Sequence, residues 1–295
     1  MMKSRLSLKS LARTGLKLFI IACVSCGCTA STKPSFLKEE APQAIRDICK
    51  NEYKLDVKTK LTGQTLWIYL PLKNLLSRPD KPEKYTERFL IEKNNITLKD
   101  NRIKADYLIK PIPDKESLQD MVIDKQAAES IFNILQVVRR VLFSIDQSQD
   151  KAPLFFCIVA ADIKNGFEIK EIFYYLDLKK ISYGFISQTE YQHRIVQETN
   201  ISPVIIGDTE GKHLDYADIT QEDFLAWQIQ HRIRLKFQKP EVQRNADIDK
   251  EILRIIAFTL EAYKYKNLLT LETDNLSSGN RSILNHAALR AKTNE

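Results

Sequence analysis

The segment from Val204 to His213 comes closest to a catalytic or phosphate-binding motif. An apolar run leads into Gly207, Gly211 and Lys212, in the order seen in a phosphate-binding loop. Such a loop needs four residues between its glycines and a hydroxyl residue after the lysine to reach magnesium. Here three residues separate the glycines and His213 follows the lysine. The spacing therefore predicts a surface turn after a strand.

Acidic and histidine side chains in the same region are candidate metal ligands. His213, Asp215 and Asp218 lie close together in the sequence, and His231 or Glu222 would complete a ligand set. The spacing matches no metal-binding motif, and the chain contains neither His-Glu-x-x-His nor a pair of Cys-x-x-Cys motifs. Since such side chains mostly lie at the surface, we expect a charged loop before a capped helix, and no metal or other cofactor.

Motifs of nucleophilic catalysis are also missing from the sequence. Ser35 and Lys38 match Ser-x-x-Lys, but the companion Ser-Asp-Asn and Lys-Thr-Gly elements are absent, as is Gly-x-Ser-x-Gly. Carboxylates such as Asp162, Glu168 and Asp177 leave acid–base chemistry open, because two acids must meet in space rather than in sequence. The sequence assigns no catalytic residue, and an enzyme is the weaker alternative.

Aromatic residues concentrate on two predicted strands and are the candidate binding residues. Trp67 and Tyr69 alternate onto one face of the first strand, and Phe173 and Tyr175 share a face of the second. Such pairs form a ligand shelf or partner patch when they are exposed, and part of the core when they are covered. Both interpretations are open at this point.

The N-terminal segment carries the pattern of a secretory signal peptide. Five basic residues and no acidic residue precede Leu18, and an uncharged run begins there. That run reaches Thr32 and contains 15 residues, fewer than the roughly 20 that a transmembrane helix requires. We expect it to direct export rather than to span a bilayer.

Three cysteines, Cys23, Cys26 and Cys28, follow the apolar run in place of the small residues of an ordinary cleavage site. This region resembles the lipobox of bacterial lipoproteins. In that family a cysteine thiol is joined to diacylglycerol and becomes the N-terminus once the signal is removed. Cys28 follows the small residues Ser25 and Gly27, so it is the preferred lipid-attachment residue, with Cys26 and Cys23 as alternatives.

The resemblance covers about a tenth of the chain and implies a location rather than an activity. It implies a cell-envelope protein held on a membrane by its lipid. Thr29 stands where an aspartate often retains a lipoprotein at the inner membrane, so the outer membrane, facing the periplasm, is favoured if the cell has two membranes. We expect a non-catalytic binding, scaffold or assembly role with an envelope protein partner, and an envelope-polymer hydrolase as the alternative.

Charge argues against nucleic acid as a partner. The chain has 45 Lys and Arg against 38 Asp and Glu, but five of the bases lie in the signal, which leaves 40 against 38. Nucleic-acid binding depends on clustered cationic charge. The composition, with 43% hydrophobic and 28% charged residues, is that of an ordinary globular protein.

The remaining pattern predicts an α+β body with a mixed or antiparallel sheet and packed helices, in one or two subdomains. The clearest helix covers residues 125–145, and an Asn-Gly pair at 165–166 predicts the hairpin after it. Helix starts are expected after Ser187, Thr220 and Asp247 or Asp249. The predicted divisions are a signal (1–27), a tether (28–40), a body (41–276, with a division into subdomains 41–115 and 116–276 as the alternative) and a mobile tail (277–295).

Cys49 and Cys157 are the cysteines of the body. In an oxidising envelope they could form a disulfide, but two buried thiols fit equally well. The sequence does not decide between these two states.

Overall fold

The computed structural model describes residues 36–145, 153–239 and 241–294. These residues form seven helices and three mixed or antiparallel sheets, with 37% helix and 34% strand, which confirms the predicted α+β class. The helices are α1 (Ala41–Tyr53), α2 (Lys125–Phe143), α3 (Tyr175–Ser182), α4 (Gln188–His193), α5 (Gln221–Phe237), α6 (Ile248–Ala262) and α7 (His286–Asn294). The strands are β1 (Lys58–Thr62), β2 (Thr65–Leu72), β3 (Leu76–Ser77), β4 (Lys84–Lys99), β5 (Arg102–Leu118), β6 (Val122–Ile123), β7 (Phe155–Asp162), β8 (Phe167–Tyr174), β9 (Val196–Ile201), β10 (Thr270–Asn275) and β11 (Asn280–Leu284).

A five-stranded sheet with the order β1-β2-β7-β8-β9 forms the centre of the molecule. Strands β2 and β7 pair in parallel, and all other neighbours in this sheet are antiparallel. The hairpin predicted at the Asn-Gly pair joins β7 to β8. Gly166 has a φ of 71°, and a Cβ there would lie 2.8 Å from the carbonyl oxygen of Ser202, so this turn requires glycine.

Helices α1 and α2 cover one face of this sheet. Leu66 and Ile68 of β2 and Phe156 of β7 are buried in one cluster with Ile45 of α1 and Leu142 of α2. The apolar stripe of α2 that the sequence shows is the stripe that faces the sheet. The other face of the sheet belongs to a second, larger core.

Helix α5 lies in that second core, which also includes residues of a four-stranded sheet with the order β11-β10-β5-β4. Its Phe224 ring lies 5.1 Å from the ring of Phe155 in β7, and its Phe237 ring lies 5.1 Å from the ring of Phe89 in β4. Strands β4 and β5 form one long hairpin, and β10 pairs in parallel with β5. The helix therefore packs against both sheets.

The predicted helix starts are present. The side chain of Asp124 accepts from two backbone amides of α2, and Ser187 accepts from the amide of Glu190 in α4. Thr220 and Asp223 form a reciprocal capping box at α5. Asp247, one of the two alternatives, caps α6. These caps set the first residues of α2, α4, α5 and α6.

Three predicted divisions differ from the structure. A boundary between residues 115 and 116 would cut through β5 and separate strands of both sheets. Residues 277–295 were assigned to a tail on polar composition, but they contain β11 and α7, because Leu284 and Leu289 fill the second core. Residues 36–40 of the predicted tether pack on the body, where Lys38 donates to the carbonyl oxygen of Gly63. The signal peptide and Cys23, Cys26 and Cys28 lie outside the described residues.

Both cysteines of the body are free and buried in different cores. Burial raises the pKa of Cys49 to about 11 and raises that of Cys157 further. They are therefore inert thiols rather than a disulfide. No helix of the described residues has the length and apolar character to cross a membrane.

Candidate functional site

Trp67 and Tyr69 lie in the core and hold the loop that the sequence singles out. Both are buried, so they form no exposed shelf. The indole nitrogen of Trp67 donates to the carbonyl oxygen of Ala217 at 2.9 Å. The hydroxyl of Tyr69 donates to the backbone carbonyl oxygen of Asp208 at 2.5 Å. The alternation of β2 aims both rings at this loop. Their role is to position residues 208–218.

Phe173 and Tyr175 are buried on the opposite face of the sheet, which contradicts an exposed binding patch there too. The ring of Phe173 stacks on Phe156 with 4.7 Å between centroids. Tyr175 begins α3 instead of continuing the strand, and its hydroxyl donates to the carbonyl oxygen of Leu142. The two aromatics thus fasten α2 and α3 to the sheet.

The loop brings His213 between two carboxylates. Nδ1 of His213 lies 2.6 Å from Oδ2 of Asp208, and Nε2 lies 2.8 Å from Oε2 of Glu168 in β8. Asp208 also accepts from the backbone amides of Glu210, Gly211 and His213. The sequence shows the histidine, but Glu168 reaches it only through the fold.

This geometry favours a charged imidazole that is held in place. Burial opposes the charge, but the hydrogen bonds with Asp208 and Glu168 outweigh it and raise the pKa of His213. Burial likewise opposes ionisation of Asp208, and the hydrogen bonds it accepts lower its pKa. The imidazole is 8% exposed and both its nitrogens are occupied. The cluster therefore acts as a clamp on the loop and offers no free base.

The other proposed metal ligands do not converge. Asp218 accepts from the amide of Gln64 and the hydroxyl of Thr65, and Glu222 accepts from the hydroxyl of Tyr265. His231 is buried, and its pKa is lowered to about 4 by burial and by nearby arginines. Within the described ranges no group of three or more His, Cys, Asp or Glu side chains is placed to hold a metal ion.

Asp177 stands at one end of a buried ionic network. It is almost fully buried and accepts from the guanidinium of Arg194 at 2.7 Å and from the hydroxyl of Tyr263 at 2.8 Å. Arg194 also donates to Glu190 at 2.7 Å, and Glu190 accepts from Arg232 at 3.0 Å. One carboxylate is thus shared by two arginines. The chain of charges ends at a surface groove.

The groove lies between α5 and α6 and has a volume of about 260 Å³. Its apolar floor consists of Leu235, Ile255 and Phe258. Its charged and titratable lining consists of His193, Arg232, Lys236, Lys239, Glu251 and Arg254. Four cations therefore face one carboxylate, which leaves an excess of positive charge around an apolar surface. We call this feature the cationic groove.

Arg232 is the buried member of the groove. Its side chain is 10% exposed, and its guanidinium lies 5.0 Å from the ring centre of Phe258. Its Nε atom is buried and has no hydrogen-bond partner among the described residues. A buried donor without a partner is costly, which makes this atom a natural contact for an acceptor.

The pKa of His193 is lowered mainly by burial. The charges of Lys239 and Arg232 lower it further, and that of Glu190 opposes them. Glu251 does not cancel this field, because it is already paired with both Lys236 and Arg254. The groove is thus electropositive even with its own carboxylate in place.

Sequence reasoning missed the cationic groove although part of its signal is visible. Arg232 and Lys236 in the last turns of α5 and Lys239 just after it recur at helical spacing, and Glu251, Arg254 and Phe258 do so in α6. The spacing does not show that these faces of α5 and α6 lie against each other in the fold. Compared with known protein families, with curated proteins and with solved structures, the chain matches none.

Proposed function

We propose that this protein is a lipid-anchored component of the bacterial cell envelope that acts by binding an anionic partner rather than by catalysis. The observation that carries the binding role is the cationic groove, where four cations line the walls with one carboxylate and the buried Nε of Arg232 has no hydrogen-bond partner among the described residues. Its apolar floor suits a ligand with an apolar part next to a phosphate, sulfonate or carboxylate group. The signal peptide and the cysteine cluster support the location.

The arrangement of the titratable groups supports binding over hydrolysis. An envelope-polymer hydrolase would need two carboxylates, or a histidine with a free nitrogen, facing a cleft. Instead, Asp162 accepts from the amides of Leu75 and Asn165, Asp177 belongs to the ionic network, and His213 is held at both nitrogens. None of these three lines the cationic groove. His193 does, and the charges of Lys239 and Arg232 near it favour the binding of an anion there.

A binding measurement tests the groove. We expect naphthalene-2-sulfonate to bind the purified protein, and Lys239→Glu to weaken the affinity about tenfold, because a repulsive charge replaces an attractive one at the rim. Lys99→Glu makes the same change of charge on β4, away from the groove, and should bind like the parent. Isothermal titration calorimetry at low and high salt measures both. Equal affinities of the two variants would contradict the assignment.

The anchor has its own test. When the full chain is expressed in a bacterial host, we expect mass spectrometry to find a mature N-terminus at Cys28, carrying diacylglycerol. An acylated N-terminus at Cys26 or Cys23 would keep the anchor and move the attachment residue. An unmodified N-terminus at any other position would refute the lipoprotein assignment.

A further inference from the structure

An exposed aromatic surface lies at the end of α2. Tyr183 and Phe185, which follow α3, are 68% and 77% exposed. The ring centre of Tyr183 lies 6.4 Å from that of Phe143 and 6.4 Å from that of Phe185. Large exposed apolar groups that lie in contact with one another mark an interaction surface more strongly than scattered ones.

Basic side chains border these rings. The guanidinium of Arg139 lies 5.9 Å from the ring centre of Phe143, and the ammonium of Lys179 lies 4.7 Å from that of Tyr175. Arg140, the next residue of α2, is bound by both oxygens of Glu52 and is therefore neutralised. We call the set Arg139, Phe143, Lys179, Tyr183 and Phe185 the aromatic–basic surface.

This surface adjoins the point where the chain enters the body. The amide of Phe36 donates to the carbonyl oxygen of Ser144 at 3.1 Å, and Phe36 pairs with Ile145. Phe143 precedes these residues directly. Cys28 is eight residues before Phe36, and eight residues span at most about 28 Å. A lipid on Cys28 would therefore keep this edge of the body near the membrane.

We infer that the aromatic–basic surface rests in the headgroup region of an anionic bilayer and sets the orientation of the anchored body. This inference rests on the lipid anchor of the proposed function. Aromatic side chains concentrate at the membrane interface because their rings are apolar and their edges tolerate water. Cations close to an anionic lipid surface are attracted to it. A diacylglycerol anchor holds the chain on the bilayer through its acyl chains, and a second contact would fix how the body is oriented on it.

The opposite end of the central sheet supplies a matched control. Ile201 is 79% exposed, so it equals Phe185 in exposure. It pairs with Phe167 beside the Gly166 turn, whereas the buried Tyr175, whose ring centre lies 6.3 Å from that of Phe143, follows the other end of β8. A strand of eight residues separates these ends by about 25 Å. If the aromatic–basic end rests on the lipid with the strands directed away from it, Ile201 lies beyond the headgroup region.

The test uses the acylated full chain reconstituted in phosphatidylglycerol vesicles whose lipids are brominated near the headgroup. Phe185→Trp and Ile201→Trp each add one indole to the native Trp67 and Trp227. We expect brominated lipid to reduce the added fluorescence of Phe185→Trp by about half, and to leave that of Ile201→Trp unchanged. Arg139→Glu in the Phe185→Trp background should reduce the quenching, because it reverses one lipid-facing charge.

Two measurements separate the failure of this inference from the failure of the anchor. Mass spectrometry of the same sample shows whether a cysteine at 23, 26 or 28 is acylated. If the chain is acylated and Phe185→Trp is not quenched, the membrane contact is refuted while the anchor stands, and a protein partner or a second copy covers the surface instead. Equal quenching of both positions, or quenching of Ile201→Trp alone, also overturns the proposed orientation.

Discussion

At the level of single residues, the clamp around His213 makes stability depend on pH. The folded pKa of His213 is raised above the unfolded value of about 6.5. Its stabilisation is therefore fully present below that unfolded value and is lost as the pH rises through the folded pKa. The pKa of Asp208 is lowered, so its contribution is present above about pH 4 and is lost as the pH falls through its folded pKa. The clamp is strongest between these limits.

His213→Gln tests this dependence. The substitution leaves Asp208 and Glu168 without their shared cation, so we expect the free energy of unfolding to fall by about 1–3 kcal/mol near about pH 6. The loss should shrink as the pH rises through the raised folded pKa of His213, because the parent histidine then loses its charge. Urea denaturation across the pH range measures it. A loss that is the same at every pH would contradict the charged clamp.

His193→Gln is the matched control, because the pKa of His193 is lowered rather than raised. Protonation of His193 therefore works against the folded state as the pH falls below about 6.5. Relative to the parent, the variant should gain stability in acid, which is the opposite trend to that of His213→Gln. The pKa values of the two histidines shift in opposite directions because their neighbouring residues differ.

These neighbours also explain why the candidate site was only partly predictable. His213, Asp177 and Glu168 are visible in the sequence as titratable residues, but Glu168 lies 45 residues from His213 along the chain. The aromatic strands suggested binding residues, and the fold placed all four in its cores. Side-chain type and spacing identify what a residue can do, whereas long-range packing decides which residues meet.

At the level of elements, local patterns predicted the structure where one periodicity dominates. The stripe of α2, the Asn-Gly hairpin between β7 and β8, and the cap at Thr220 are local signals, and all three elements are present. Each of these patterns can be recognised without knowing which distant residues pack against the element.

The long hairpin β4–β5 lacks such a dominant pattern. Register shifts between Glu87 and Phe89, and between Ile91 and Lys93, interrupt the alternation of inward and outward residues. Its turn uses Asp100 and Asn101 at φ values of 51° and 60°, without a glycine to mark it. The sequence accordingly gives only weak strand signals over this hairpin, which supplies two of the four strands of the second sheet.

At the level of the whole molecule, the central sheet joins two cores. Leu66 and Ile68 point into the core under α1 and α2, while Trp67 and Tyr69, on the same strand, point into the core shared with the second sheet. Leu289 of helix α7 is buried in that second core. Loss of packing in either core should therefore loosen the sheet on which the other core depends.

This coupling predicts one unfolding transition for the body. Leu142→Ala in the first core and Leu289→Ala in the second should each lower the free energy of unfolding by about 2–5 kcal/mol. Circular dichroism and tryptophan fluorescence should report the same midpoint in each variant, because both cores lose the sheet together. Two separate midpoints would show independent subdomains.

The controls for that experiment lie on the same elements. Arg140→Ala removes an exposed ion pair between α2 and Glu52, and such a pair contributes little to stability because water screens it. Ile283→Ala truncates a side chain of β11 that is 71% exposed, so its effect should stay within about 0.5 kcal/mol. If Leu289→Ala unfolds like Ile283→Ala, α7 contributes no core packing and the C-terminal segment is the free tail that its polar composition indicates. A loss confined to the two leucines instead places the C-terminus within the cooperative fold.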